Sequence, residues 1–182
     1  HFRSLVDVLK LTATPIPRTL YMALMGTRDM SLITTPPAAR LPIETEVIEF
    51  DDDRLRQVIE RELARGGQVY VVHNRIDSIR RIYERLRQLL PQVTLAEAHG
   101  QMSPKLLEQQ MVGFIEGRVQ CLVSTNIIES GLDIPNVNTI IVNRADLFGL
   151  ADLYQLRGRV GRFITQRQAY AYFVVPKNWM LT

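Results

Sequence analysis

The spacing of apolar and polar positions changes along this chain, and the changes mark out its elements. Val6 to Leu11 reads as a strand running into Thr12-Ala13-Thr14-Pro15-Ile16-Pro17-Arg18, where two prolines end any ladder. Crowded apolar residues from Thr19 to Met25 predict a buried helix closed by Gly26. Pro36-Pro37 and Pro42 then punctuate a linker over 36–42, separating a leading fragment, 1–35, from a main domain, 43–182. Alternation predicts a strand from Ile43 to Phe50. Helical spacing follows at Leu55, Val58, Ile59 and Leu63, up to Gly66-Gly67. Val69 to Val72 is a short apolar strand. Ile76, Ile79, Tyr83, Leu86 and Leu90 mark one helix face, stopped at Pro91. After a strand from Val93 to Ala98, Ser103-Pro104 reads as an N-cap with proline in the first turn, opening a helix that ends near Gly117. Further strands are expected over 120–124, 139–142 and 169–174, with a short helix near Ile127-Ile128 and another from Leu150 to Leu156.

This alternation predicts an α/β fold, a parallel sheet flanked by helices on both faces. Ligands of such sheets gather at the carboxyl ends of the strands, so the loops there carry the candidate chemistry. Those loops are polar: His73-Asn74-Arg75, His99-Gly100-Gln101, Ser124-Thr125-Asn126 and Asn143-Arg144-Ala145-Asp146. Each alone has an ordinary reading. His99 fits a structural histidine, Ser124-Thr125 a helix cap as well as a phosphate site, and Asp133, between Gly131 and Pro135, a turn aspartate. Gln155-Leu156-Arg157-Gly158-Arg159-Val160-Gly161-Arg162 is the densest stretch. If it is helical, Arg159 and Arg162 project from one face, and their planar forks suit phosphate oxygens. A solvated basic turn is the plain alternative.

Composition narrows the field. With 182 residues and 46% hydrophobic content the chain can bury a core, and a formal charge of +3 permits a nucleic-acid partner without demanding one. Cys121 is the single cysteine and sits in an apolar run, which suits a reduced core thiol and excludes an internal disulfide or cysteine zinc site. No apolar stretch is long enough to span a bilayer and no signal peptide is visible, so a cytoplasmic protein is expected. The opening residues, without an initiator methionine, suggest a piece of a longer chain. No Gly-x-x-x-x-Gly-Lys-Ser/Thr loop occurs, and none of Lys10, Lys105 and Lys177 has such a setting. No acidic pair follows an apolar strand as a magnesium ligand would, since Asp51-Asp52-Asp53 reads as a charged helix cap. A dinucleotide-binding enzyme is disfavoured because Gly-x-Gly-x-x-Gly is absent.

Taken together, these blocks resemble the second motor lobe of superfamily 2 helicases and translocases. Thr12-Ala13-Thr14-Pro15 is similar to motif III, Val71 to Arg75 to motif IV, Ser124 to Pro135 to motif V, and Gln155 to Arg162 to motif VI. Leu11 to Leu20 and His99-Gly100-Gln101-Met102 narrow the resemblance to one branch. Gly26 to Ile33 followed by Thr35-Pro36-Pro37-Ala38 points within it to the transcription-repair coupling family, with RecG-type branch-migration helicases next.

The resemblance implies a RecA-like sheet over 43–182, preceded by the tail of the first RecA-like lobe, and an ATP-dependent translocase on double-stranded DNA. ATP and Mg2+ would be held mainly by the first lobe. Arg159 and Arg162 would be arginine fingers and Gln155 a polar contact beside them; Gly131 and Asp133 would meet the nucleotide. Asn74, His99, Gly100, Ser124 and Thr125 would hold DNA phosphates, and Thr12 and Thr14 would couple the two sites. RNA polymerase and excision-repair proteins would be partners of the whole protein, and the chain alone would not hydrolyse ATP. Asn126, Phe163 and the longer connection over 163–168 depart from the family pattern. The competing reading is a non-catalytic binding module that keeps a motor fold.

Overall fold

A computed structural model of the chain describes Met25, Ser31 and residues 41–125, 136–161 and 167–178. The chain divides into two units, His1–Pro36 and Pro37–Thr182, and every element below belongs to the second. The expected leading strand and helix, most of the linker and the short helix near Ile127-Ile128 lie outside the described residues.

Among the described residues six strands form one sheet: β1 (Glu44–Glu49), β2 (Gln68–His73), β3 (Leu95–Ala98), β4 (Cys121–Ser124), β5 (Val137–Asn143) and β6 (Tyr170–Val175). Their order is β1-β6-β5-β2-β4-β3, and every pairing is parallel. β2 and β5 are buried at every position. Covered on both faces, they carry unbroken apolar stretches, Val69 to Val72 and Ile140 to Val142, and do not alternate there.

Four helices among the described residues supply cover: α1 (Asp52–Ala64), α2 (Ile76–Leu89), α3 (Pro104–Ile115) and α4 (Leu150–Arg157). Asp51 caps α1, its Oδ1 accepting the Arg54 N–H at 2.9 Å, with Asp52 and Asp53 in the first turn where the helix dipole favours them. Ser103 caps α3 in the same way, with Pro104 in the first turn.

Leu55, Val58 and Ile59 of α1 pack with Ile79 and Leu86 of α2 against Val69, Val71, Cys121, Val123 and Ile141 on one face of the sheet. Phe114 of α3 and Leu156 of α4 pack against Tyr70, Val72, Leu122, Ile140 and Val142 on the other. Buried polar contacts pin the amino ends of the strands. Thr139 Oγ1 donates to Glu62 at 2.6 Å, Arg65 pairs with the same carboxylate at 3.1 Å, and the Gln68 amide donates to the Phe114 and Val119 carbonyls.

Two details depart from the sequence reading. β3 begins at Leu95, because the Val93 N–H turns back to the Leu90 carbonyl at 3.0 Å and Val93 serves as an apolar anchor under the end of α2. The arginine-rich segment is not one helix. α4 ends at Arg157, Gly158 is its C-cap, and Gly161 has a φ of +64°.

Candidate functional site

Because all pairings are parallel, the carboxyl ends of the strands share one edge. Register fixes which residues meet there. Ala98 lies beside Ser124, Ser124 beside Val72, and Val72 beside Val142. One step further on, His99, Thr125, His73 and Asn143 form a row across four neighbouring strands, roughly 15 Å long at the usual strand spacing. The chain leaves β2 through α2 on one face and β5 through α4 on the other. The crevice between β2 and β5 is therefore the switch point where open α/β sheets take ligands.

Several polar atoms at this edge are buried without a hydrogen-bond partner among the described residues: Asn74 Oδ1, His99 Nδ1, Ser124 Oγ and Asn143 Oδ1. Such atoms cost stability and tend to collect where a ligand or solvent completes them. Ser124 and His99 can each offer a donor of the kind a phosphodiester needs. Asn74 behaves otherwise in the observed conformer. Its Nδ2 donates to the Leu147 carbonyl at 3.1 Å, which ties the β2 loop to the β5 loop and commits one of its two N–H groups there. The Thr125 N–H is likewise taken, by the Ala98 carbonyl at 3.2 Å. At exposed Gly100 an added Cβ would meet nothing within 4 Å, so the fold itself does not demand glycine there. His99 is braced by a local turn, its carbonyl accepting the Met102 N–H at 3.1 Å, and its Nε2 stands 3.7 Å from the Glu97 carboxylate, which Arg80 also holds.

His73 and Asn143 carry no assigned role in the sequence reading, although both close apolar strands. The structure pairs them. Asn143 Nδ2 contacts His73 Nδ1 at 3.0 Å, and His73 Nε2 contacts the Ser78 hydroxyl at 2.7 Å. Burial, with Arg144 and Arg75 nearby, holds the imidazole pKa below its ordinary value. A neutral ring that accepts from Asn143 at Nδ1 donates to Ser78 from Nε2. Arg144, in the left-handed region at φ 56°, is neutralised by a two-bond contact with Asp146.

The arginine-rich segment lies at the opposite edge. Arg157 reaches the Ile43 carbonyl at 3.4 Å and sits over the Tyr154 ring, while a Cβ on Gly161 would stand 2.8 Å from Ala169 Cβ. Ile43 and Ala169 precede β1 and β6, so Arg159 is separated from the row by about the length of a strand, roughly 17–20 Å. Gln155 is exposed and Arg159 half-buried, its N–H bonded to the Leu156 carbonyl at 2.9 Å. Thus Asn74, His99, Gly100, Ser124 and Thr125 come together at the carboxyl edge, and Gln155 and Arg159 on a separate surface. Thr12, Thr14, Asn126, Gly131, Asp133, Arg162 and Phe163 lie outside the described residues. Among the described residues no three His, Cys, Asp or Glu side chains gather as metal ligands.

A parallel α/β lobe with this row at its carboxyl edge and a glycine-bounded arginine segment opposite is a helicase-type motor lobe. Residues 52–164 match the helicase conserved C-terminal domain, and the chain belongs to that family. It is similar to the transcription-repair-coupling factor of Myxococcus xanthus, 56% identical over 181 residues, 100% of this chain and 15% of that protein. To the factor of Bacillus subtilis strain 168 it is 55% identical over 177 residues, 97% of this chain and 15% of that protein. The chain thus spans about 15% of the length of these curated relatives. Among solved structures, RecG bound to a three-way DNA junction matches 91% of this chain and 22% of its own, with a TM-score of 0.72 and 37% identity. Yeast Dbp5 bound to RNA and ADP BeF3 shares the fold alone, with a TM-score of 0.66 at 20% identity, over 92% of this chain and 44% of its own.

Proposed function

We propose that this chain is the second motor lobe of an ATP-driven translocase on double-stranded DNA that works in transcription-coupled repair. The observation that carries the reading is the 56% identity to a transcription-repair-coupling factor, which runs the length of the chain and so takes in both surfaces. In this reading Arg159 and Arg162 are arginine fingers toward an ATP whose phosphates and Mg2+ the first lobe holds, with Gln155 beside them. Gly131 and Asp133 meet the nucleotide, and Thr12 and Thr14 couple the nucleotide site to the DNA site. His99, Gly100, Ser124 and Thr125 hold DNA phosphates, with Asn74 either rotating its amide to join them or bracing the loop.

Phosphate contacts of this kind carry no base readout, which suits a protein that tracks along DNA. They also predict binding that weakens steeply with salt. RNA polymerase and excision-repair proteins are partners of the whole protein in this reading, and its setting is the cytoplasm. Displacement of a triplex-forming strand from duplex DNA by the protein carrying both lobes tests translocation directly. ATP-dependent displacement lost in Arg159→Ala supports the reading; displacement without ATP, or unaffected by that change, contradicts it. A branch-migration reading has the likeness to RecG in its favour. Preference for a three-way junction over linear duplex as the ATPase-stimulating DNA would select it.

A further inference from the structure

Glu97 has no role on either candidate surface, yet its setting bears on one of them. β3 is an edge strand, and its alternation sends Ala96 and Ala98 to the face that α3 covers and Glu97 to the α2 side. There the carboxylate is only 10% exposed. Its Oε2 accepts from Arg80 of α2 at 3.0 Å, and Arg80 also holds Glu84 at 2.6 Å. Oε1 is left facing the His99 ring, 3.7 Å from Nε2, too long for a hydrogen bond and close enough for an ion pair. One guanidinium against two carboxylates leaves this cluster negative while the ring is neutral, and exposed Asp77 in the first turn of α2 adds to it. His73, two strands along the row and held neutral by burial, brings no compensating charge.

A phosphate bound at this edge places the His99 ring between two anions. A neutral imidazole has a single N–H. Turned to Glu97 through Nε2–H, the ring presents a bare lone pair at Nδ1, the buried atom that has no partner among the described residues, and a lone pair repels a phosphate oxygen. With the proton on Nδ1, the lone pair at Nε2 faces the Glu97 carboxylate instead. Only the imidazolium donates in both directions.

On the reading that this edge holds DNA phosphates, we infer that Glu97, braced by Arg80, is a positioning residue of the phosphate site: it orients the His99 ring and makes it take up a proton as a phosphate arrives. The added proton also cancels the excess charge that Glu97 and Glu84 set against Arg80. The grip of this edge on DNA therefore tightens as pH falls.

Calorimetric titration of the protein carrying both lobes with a short random-sequence duplex, without nucleotide and in two buffers of different ionisation enthalpy, counts the protons exchanged. At about pH 7 the unmodified protein should take up a fraction of one proton on binding. Affinity should fall several-fold from about pH 6 to about pH 8, roughly tenfold per pH unit being the ceiling for one linked proton. His99→Gln should abolish the uptake and Glu97→Gln should reduce it at least about twofold, each flattening the pH profile. Glu60→Gln, which removes the same charge from an exposed position on α1, should leave both unchanged. DNA bound without proton uptake, or uptake that survives in His99→Gln and so comes from His73 or another group, overturns the inference and leaves the DNA reading standing. Uptake kept in full by Glu97→Gln overturns the role of Glu97. Duplex affinity unmoved by His99→Gln and Ser124→Ala combined is the failure of the DNA reading itself and takes the inference with it. The proton count on the unmodified protein needs no variant to fold.

Discussion

The two glycines of the arginine segment do different jobs, and alanine at each should separate them. Gly161 has φ +64°, a region that costs an L-residue roughly 1–2 kcal/mol. A Cβ there would also stand 2.8 Å from the Cβ of buried Ala169, well inside contact distance, and relieving such an overlap costs about 1–3 kcal/mol. Gly161→Ala should therefore lose roughly 2–5 kcal/mol, which in a chain of this size lowers the melting temperature by about 4–20 °C. Gly158, the C-cap of α4, has φ −70° and ψ 0°, which any residue adopts, and its nearest contact for a Cβ is 3.4 Å. Gly158→Ala should change stability by no more than about 1 kcal/mol, since reduced freedom of the unfolded chain offsets the tight contact. Circular-dichroism melts and urea titrations measure both. The double variant Gly161→Ala/Ala169→Gly removes the overlap and should recover roughly 1–3 kcal/mol relative to the sum of the single changes. Equal losses at the two glycines, or simple additivity in the double variant, would show that the approach to Ala169 is not what constrains Gly161.

Three further outcomes follow from the buried groups. His73 has a folded-state pKa held below its ordinary value of 6.5, mainly by burial. Its contribution is present above that value and falls away as pH descends from there through the lower folded-state pKa, because the unfolded chain takes up the proton first. His73→Gln should accordingly flatten the loss of urea stability between pH 7.5 and 5.5, and an unchanged slope contradicts this. Cys121 is fully buried, its thiol pushed up to about 12, so a disulfide reagent should react with it only after urea unfolds the chain. Glu62→Leu strands the Thr139 hydroxyl and half-buried Arg65 and should cost about 2–4 kcal/mol, whereas Glu84→Leu, on the exposed side of α2, should cost less than about 1 kcal/mol by the same urea titration.

What the sequence shows well is whatever rests on local chemistry. Asp51 and Ser103-Pro104 cap their helices through atoms three residues away, so short motifs suffice to place α1 and α3. The parallel sheet is legible because β2 and β5 are buried on both faces and so carry unbroken apolar runs, Val69 to Val72 and Ile140 to Val142. Long-range geometry is another matter. Val93 looks like the start of a strand, yet its burial comes from the end of α2 and not from the ladder. The end of α4 at Arg157 and the positive φ at Gly161 are bound up with contacts to Ile43 and Ala169, which no window around Arg159 contains. Likewise His73 meets Asn143, and Asn74 meets Leu147, only because β2 and β5 are neighbours in register. A polar residue closing an apolar run was the available signal for His73 and Asn143.

The motor reading turns on Arg159. In the protein carrying both lobes, single-turnover ATP hydrolysis measured beside nucleotide binding separates a transition-state contact from a merely basic turn. Arginine fingers contribute roughly a thousandfold or more to phosphoryl transfer, and a lysine cannot reproduce the fork, so Arg159→Ala and Arg159→Lys should both slow hydrolysis by about that order with little change in ATP affinity. Arg157, already committed to the Ile43 carbonyl and the Tyr154 ring, is the internal control and Arg157→Ala should hydrolyse at a nearly normal rate. Near-normal hydrolysis in Arg159→Ala, or an equal loss in all three variants, would contradict the account.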